Sequence, residues 1–314
     1  MTIKVLILDV NAQHYRDRLA RRFPDIAFHH TSSHHDAVAL AADVDVIVAL
    51  GHHISRDMIA AAKNLRWIQA LTTGTDTLTP PGVLPPHVLL TSTRGIHGPQ
   101  MSEMAFLHML ALNRDIDRLR RNQAEAKWDP WSAPLLHGKI IVIVGLGVLG
   151  EHLAARCKLF GMTVLGVSGG RGAAPNFDEV HPRGALAEVA ARADFLMLLV
   201  PYSPETHHLV DAMVLSRMKP TAFLINLARG GVLDEAALIE HLQAGKIAGA
   251  GLDIFQQQPL PKDNPLWHMP NVVITPNMGG RSDIFVEQTL TVVEPNLEAF
   301  AQGRLKDLRN LVAR

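Results

Sequence analysis

The stretch "GKIIVIVGLGVLG", residues 138–150, governs how the rest of the chain is read. Its first half is rich in β-branched residues, which suits a strand buried on both faces. Its second half sets Gly145, Gly147 and Gly150 in a GxGxxG spacing, and the "EHLAARCKLF" that follows has a helical pattern. Alone, the spacing says little; between a strand and a helix it describes a loop that offers its backbone to a phosphate. Gly145 permits the tight turn, Gly147 lets the backbone approach a pyrophosphate, and Gly150 allows helix and strand to pack closely. The helix N-terminus, starting at Val148 and Leu149, then points unsatisfied N–H groups at the phosphates.

The residue that would meet the adenosine ribose lies about 20 residues further on, at the end of the next strand. That strand, "MTVLGV" (162–167), runs into "SGGRG", so Ser168 takes the place where a carboxylate would hold the ribose hydroxyls. A serine hydroxyl donates well to a 2′-phosphate, and Arg171 is placed to pair with one. NADP(H) is therefore favoured, with NAD(H) still open; Arg171 as a solvated loop residue is the plainer alternative.

Short apolar runs alternate with amphipathic stretches on both sides of this loop, the pattern of an α/β protein with parallel strands. Downstream, the strand candidates after "MTVLGV" are "DFLMLLVP" (194–201), "TAFLINLARG" (221–230), "IAGAGLDIF" (247–255) and "NVVITP" (271–276). Upstream they are "KVLILD" (4–9), "DVIVAL" (45–50) and "WIQAL" (67–71), followed by the turn-rich "TPPGVLPPH" (79–87). Residues 98–126 read as one long helix with Pro99 in its first turn, where no helical hydrogen bond is lost. A last helical segment, 282–303, ends at Gly303; periodicity does not say where it packs.

The 314 residues suffice for two domains of ordinary size. Lys+Arg and Asp+Glu stand at 30 each, so no net field recruits nucleic acid or an anionic membrane. No apolar run approaches the ~20 residues that span a bilayer. The opening "MTIKVLILDV" lacks a basic region and a cleavage site, and reads as a first strand rather than a signal peptide. Cys157 is the single cysteine, which excludes an intrachain disulfide and a cysteine metal cluster. A cytoplasmic protein is the expectation. The paired histidines at 29–30, 34–35, 52–53 and 207–208 point in different directions on any regular element, and no HExxH is present. They read as solvated loop or surface groups, not as a metal site.

Taken together, "TTGTDTL" (72–78), "GIHGPQMSE" (95–103), the glycine loop, "VPYSPETHHLV" (200–210), "INLARGGVLDEAAL" (225–238) and "GAGLDIFQQQPLP" (249–261) make the chain resemble the D-isomer-specific 2-hydroxyacid dehydrogenase family over nearly its whole length. The resemblance implies two Rossmann-like or flavodoxin-like doubly wound parallel-sheet domains with the active site in a cleft between them. Residues 1–98 plus 284–314 would form the substrate domain and 99–283 the dinucleotide domain, with the two long helices crossing between them. It implies a homodimer joined through the dinucleotide domain, an NAD(P) cofactor, and a small 2-keto or 2-hydroxy acid as substrate. Val200, Pro201, Ala228 and Asp253 would join the glycine loop around the cofactor. Backbone N–H groups of Thr73, Gly74 and Thr75 would hold the substrate carboxylate.

The family's chemistry rests on an arginine, a histidine and a glutamate. Arg229 in "NLARGG" matches the arginine, whose planar fork grips two oxygens and keeps its charge. The glutamate position is Gln258 and the histidine position is Asn277. Amides donate and accept hydrogen bonds but exchange no proton near neutral pH. Both changes keep side-chain size and remove titration, so the pair reads as replaced as a unit. His97, His52 and His53, which the resemblance places on loops facing the cleft, are the candidates for a substitute acid, with plain polar lining as the alternative. Two functions follow: an NAD(P)-dependent oxidoreductase like glyoxylate/hydroxypyruvate reductases with an altered proton path, or a non-catalytic protein that binds the dinucleotide and reports its redox state.

Overall fold

A computed structural model describes residues 2–313. It contains two compact units, Met1–Ile96 with Ser282–Arg314, and His97–Arg281. The chain passes between units at 96/97 and 281/282, where the sequence reading drew 98/99 and 283/284.

The first unit holds five parallel strands, β1 (Lys4–Leu8), β2 (Ala27–Thr31), β3 (Val46–Ala49), β4 (Trp67–Ala70) and β5 (Leu89–Ser92), in the order β2-β1-β3-β4-β5. Side chains alternate across the sheet, as the pleat requires. Val5 and Ile7 join one core with Tyr15 and Trp67, while Leu6 and Leu8 join the other with Ala37 and Met58. The final helix, Phe285–Ala301, packs on the first of these cores. Val286, Leu290, Val293, Leu297 and Phe300 form its buried stripe, spaced as one helical face. Each such residue contributes roughly 1.5–3 kcal/mol by leaving water. The helix closes with Gly303 at φ +71°, and Arg304 N–H donates to Ala299 C=O at 2.8 Å, a left-handed cap that glycine adopts without strain.

β2 and β5 are absent from the sequence reading, and both are sheet edges. In "AFHHT" no apolar run marks a strand, because its residues are only half-buried and His29 faces solvent. His29 and His30 therefore lie in a strand and not in a loop. β5 follows the proline-rich turn, and its outer edge is closed by the C-terminal tail, where Val312 N–H donates to Leu90 C=O at 2.9 Å.

The second unit has seven parallel strands: β6 (Ile140–Val144), β7 (Thr163–Ser168), β8 (Glu179–Pro182), β9 (Phe195–Leu198), β10 (Phe223–Asn226), β11 (Gly249–Leu252) and β12 (Val272–Ile274). Their order, β12-β11-β10-β9-β6-β7-β8, reverses direction between β6 and β9. In open α/β sheets, ligands bind at such a reversal, outside the carboxyl ends of the strands. β8, another edge strand, is the one that the sequence reading lacks. The long helix expected over 98–126 is two helices, Gly98–Asn113 and Ile116–Ala124. Asp115 breaks it by taking a left-handed conformation, φ 53°, and its carboxylate caps Arg118 N–H. Beyond Asn113 the chain has no buried residue to keep the first helix going, so the local cap decides. Among the described residues no helix is long and apolar enough to cross a membrane.

Candidate active site

The glycine loop leaves β6 at the sheet reversal. Gly145 sits at φ +108°, and a Cβ there would lie 2.8 Å from the backbone of Leu199 and Val200, the residues that follow β9. Gly150 would push a Cβ to 2.3 Å from Gly145 C=O. A Cβ on Gly147, by contrast, would meet nothing. Two glycines thus let the loop fold and the middle one leaves open space at the N-terminus of the helix Val148–Leu159, which carries no side-chain cap. The first-turn N–H groups of Val148 and Leu149 face that space, an arrangement that fits a dinucleotide pyrophosphate. Val200 is buried and Pro201 exposed on the facing loop.

Ser168 ends β7, and its hydroxyl accepts from Gly170 N–H at 3.2 Å and Arg171 N–H at 3.1 Å. Arg171 is not a free surface residue: Nη1 donates to Leu146 C=O at 2.7 Å and pairs with Glu151. A third residue joins them. Arg183 follows β8, its guanidinium 2.8 Å from where a Cβ on Gly169 would stand, and Nη1 donates to Glu205 C=O at 3.3 Å. The register that pairs Ser168 with Pro182 brings Arg183 there. Without β8, the sequence carried no signal for it.

Three further loops leave the neighbouring strands β10, β11 and β12. Arg229 stands three residues beyond Asn226, the last residue of β10 and 1% exposed. Asn226 Oδ1 accepts from Ala228 N–H at 3.0 Å, and its Nδ2 donates to Arg229 C=O at 3.2 Å, so one buried amide fixes the turn that presents Arg229. Arg229 itself is half-buried, with Nη1 on Ala228 C=O at 2.7 Å. Next to it, a Cβ on Gly230 would come within 2.1 Å of Phe255 C=O, so this loop and the one after β11 touch backbone to backbone.

Asp253, after β11, is 2% exposed and organises the loop after β12. Its Oδ1 accepts from Thr275 Oγ1 at 2.6 Å and Met278 N–H at 3.0 Å; Oδ2 accepts from Gly279 N–H at 3.0 Å. Asn277 lies inside this clasp at φ 51°, a left-handed conformation that asparagine tolerates better than most residues. Asn277 Nδ2 donates to Gln258 Oε1 at 3.0 Å, and Gln258 Nε2 donates to Phe255 C=O at 3.2 Å. The two amides are thus joined, exposed to solvent, and uncharged.

His97, a candidate substitute acid, is 7% exposed, and burial pushes its pKa down to about 4. That burial favours the neutral imidazole near pH 7. His108, fully buried, was missed; its ring packs on Gly251, Nε2 bonds Thr275 Oγ1 at 3.1 Å, and burial drives its pKa to about 4, with Asp253 opposing. In the first unit, His52 and His53 form a short turn after β3, their rings edge to face at 4.5 Å. Thr73, Gly74 and Thr75 lie on the half-buried loop after β4. Thr72 Oγ1 donates to Gly74 C=O at 2.7 Å, and Thr77 Oγ1 to Gly51 C=O at 3.2 Å.

Residues 106–279 match the D-isomer specific 2-hydroxyacid dehydrogenase NAD binding domain, and residues 5–81 match the catalytic domain of the same name. The chain is 33% identical over 275 residues to the glyoxylate reductase of Korarchaeum cryptofilum, covering 84% of this chain and 81% of that protein. It is 30% identical over 279 residues, 84% of this chain, to the D-3-phosphoglycerate dehydrogenase of Methanocaldococcus jannaschii, but spans only 51% of that protein's length. A D-isomer specific 2-hydroxyacid dehydrogenase family protein from Aeromonas salmonicida shares the fold at TM-score 0.92 and 34% identity, covering 100% of this chain and 99% of that one. The NADPH-dependent glyoxylate/hydroxypyruvate reductase of Sinorhizobium meliloti, solved with NADP and sulfate, follows at TM-score 0.83 and 26% identity, with 99% and 98% covered. With both of its units matched, this chain belongs to the D-isomer specific 2-hydroxyacid dehydrogenase family of NAD(P)-dependent oxidoreductases.

Proposed function

We propose that the protein is an NAD(P)-dependent reductase of small 2-keto acids such as glyoxylate and hydroxypyruvate, working without a protein-borne proton donor at position 277. The observation that carries the reading is the retained Arg229, held by Asn226 on the loop beside the joined amides Gln258 and Asn277. The nicotinamide cofactor, when bound, supplies the hydride. Gly145, Gly147, Gly150, Val148, Leu149, Val200, Pro201, Ala228 and Asp253 are the residues assigned to hold it. Arg229 grips the carboxylate and keto oxygen of the substrate, and the backbone of Thr73, Gly74 and Thr75 receives the carboxylate. Asn277 donates an N–H to the oxygen on which charge develops, and Gln258, accepting from the same amide, fixes which way that amide faces. The proton then comes from water. Losing a positioned general acid costs about 10²–10⁴-fold in rate, so turnover is slow.

Ser168, Arg171 and Arg183 give the adenosine end two guanidinium groups and a hydroxyl with no carboxylate at the ribose position, which favours NADP(H) over NAD(H). The second unit also exposes apolar side chains over one sequence region, among them Trp128 at 95%, Leu135 at 57% and Leu107 at 51%. A homodimer would cover them, and a cytoplasmic setting is the one in which its nicotinamide cofactor is at hand. A purely non-catalytic role is less favoured, because the Arg229 guanidinium has no use in cofactor binding alone. The test is to mix the protein with NADPH or NADH and glyoxylate, hydroxypyruvate, pyruvate or phenylpyruvate. Oxidation of the cofactor supports the reading; binding without turnover on all four acids defeats it.

A further inference from the structure

The helix that starts the dinucleotide site carries one acidic residue in its first turn, Glu151. A carboxylate there suits the helix dipole, yet it also places a negative charge beside the position offered to a phosphate. Its partner is Arg171, whose Nη1 meets both Glu151 Oε1 and Leu146 C=O, the latter at 2.7 Å. Arg171 thus lies back over the glycine loop. The backbone of its own turn is held independently by Ser168 Oγ, which accepts from Gly170 and Arg171 N–H groups. The turn therefore does not dictate where the guanidinium goes; Leu146 C=O and the Glu151 carboxylate together hold it. Both side chains are partly open to water, 43% for Arg171 and 33% for Glu151, so the pair is weak enough to exchange.

We propose that Glu151 is a specificity-determining residue: an internal anion that competes with the 2′-phosphate of NADP(H) for Arg171 and so narrows the preference for NADP(H) over NAD(H). The proposal rests on the reading that Ser168, Arg171 and Arg183 receive that phosphate. A 2′-phosphate that pairs with Arg171 leaves Glu151 without its cation and close to added negative charge. NAD(H) lacks the 2′-phosphate, so it meets only the weaker repulsion between Glu151 and the pyrophosphate. Neutralising Glu151 therefore helps both cofactors and helps NADP(H) more.

The experiment is a binding titration of the whole chain with NADPH and with NADH, followed by the change in cofactor fluorescence. Wild type, Glu151→Gln, Arg171→Ala and the double variant are compared at low and moderate salt. Glu151→Gln is expected to lower the Kd for NADPH by about 3–10-fold and that for NADH by less than about twofold. The difference should shrink as salt screens the charges, and should narrow when Arg171 is already alanine, where only the direct repulsion between Glu151 and the cofactor phosphates is left to relieve. Unchanged or weaker NADPH binding in Glu151→Gln overturns the proposal, since an aspect of Glu151 that merely orients Arg171 would produce that result. The underlying pocket fails separately: it fails if Arg171→Ala leaves the NADPH Kd where it was.

Discussion

Asn277 Nδ2 donates to Gln258 Oε1 at 3.0 Å, across the two loops where the family resemblance calls for a histidine and a glutamate. The pair is complementary as amides, and Gln258 spends its own N–H on Phe255 C=O. A carboxylate at 258 would still accept from Asn277 but would have no cation to face. Gln258→Glu alone is therefore expected to leave kcat unchanged or lower. Gln258→Glu with Asn277→His restores a titrating pair and is expected to raise keto-acid reductase kcat by at least about tenfold and by no more than the ~10⁴-fold upper limit of what a general acid supplies. Steady-state NADPH oxidation with glyoxylate measures it, and no gain in the double variant would mean that the amide pair does not stand where the proton donor works.

Arg229 tests the substrate end. Lysine keeps the charge but loses the planar fork. Arg229→Lys is expected to lower kcat/KM by about 10²-fold, the cost of one electrostatic contact to the developing oxyanion. The Kd for NADPH should stay within about twofold, because the reading gives Arg229 no contact with the cofactor. An equal loss in both would move Arg229 out of the substrate site.

The glycines separate folding from binding. Gly150→Ala sets a Cβ 2.3 Å from Gly145 C=O, so melting temperature and cofactor affinity should fall together. Gly147→Ala adds a methyl that meets no protein atom, so stability should change by less than about 1 kcal/mol. Its NADPH Kd should still rise by at least about tenfold, since the methyl occupies the space left for the pyrophosphate. Thermal melts beside binding titrations distinguish the two.

His97 and His108 predict an acid-side loss of stability. Burial lowers both to about 4 from an ordinary value of 6.5. Between those values the unfolded chain takes up protons that the native protein refuses. Stability is therefore full above about pH 7 and falls as pH drops from 6.5 toward 4, by at most about 1.4 kcal/mol per pH unit for each histidine. His108→Gln keeps an N–H near Thr275 and removes one titration. Urea unfolding from pH 4 to 8 should show the variant losing less stability than wild type across that window; parallel curves would mean that His108 protonates freely in the native state.

What the sequence disclosed and what it hid follow from burial. β6, β9 and β10 are buried along their length and appear as unbroken apolar runs, so the glycine loop and the Arg229 loop could be placed from residues alone. β2 and β8 are edges with polar, half-exposed side chains, and β5 hides behind prolines. The omission of β8 concealed Arg183, because its nearness to Ser168 exists only through strand pairing. The helix break at Asp115 depends on a side-chain cap that competes with helical continuation, which a 3.6-residue pattern does not register. His108 looked like one more helical residue, and its bond to Thr275 spans 167 positions. The amide pair, by contrast, was legible as two substitutions, and the hydrogen bond between them exists only through the fold.

The reading stands on catalysis without a titrating residue at 277, and the pH dependence of kcat measures that most directly. NADPH-dependent reduction of glyoxylate, followed from pH 5.5 to 8.5 at saturating substrate, should be slow and show no transition near 6.5, the unperturbed histidine value. A clear transition there, abolished by replacing His52 or His53, would place the proton on a histidine and contradict a neutral amide site.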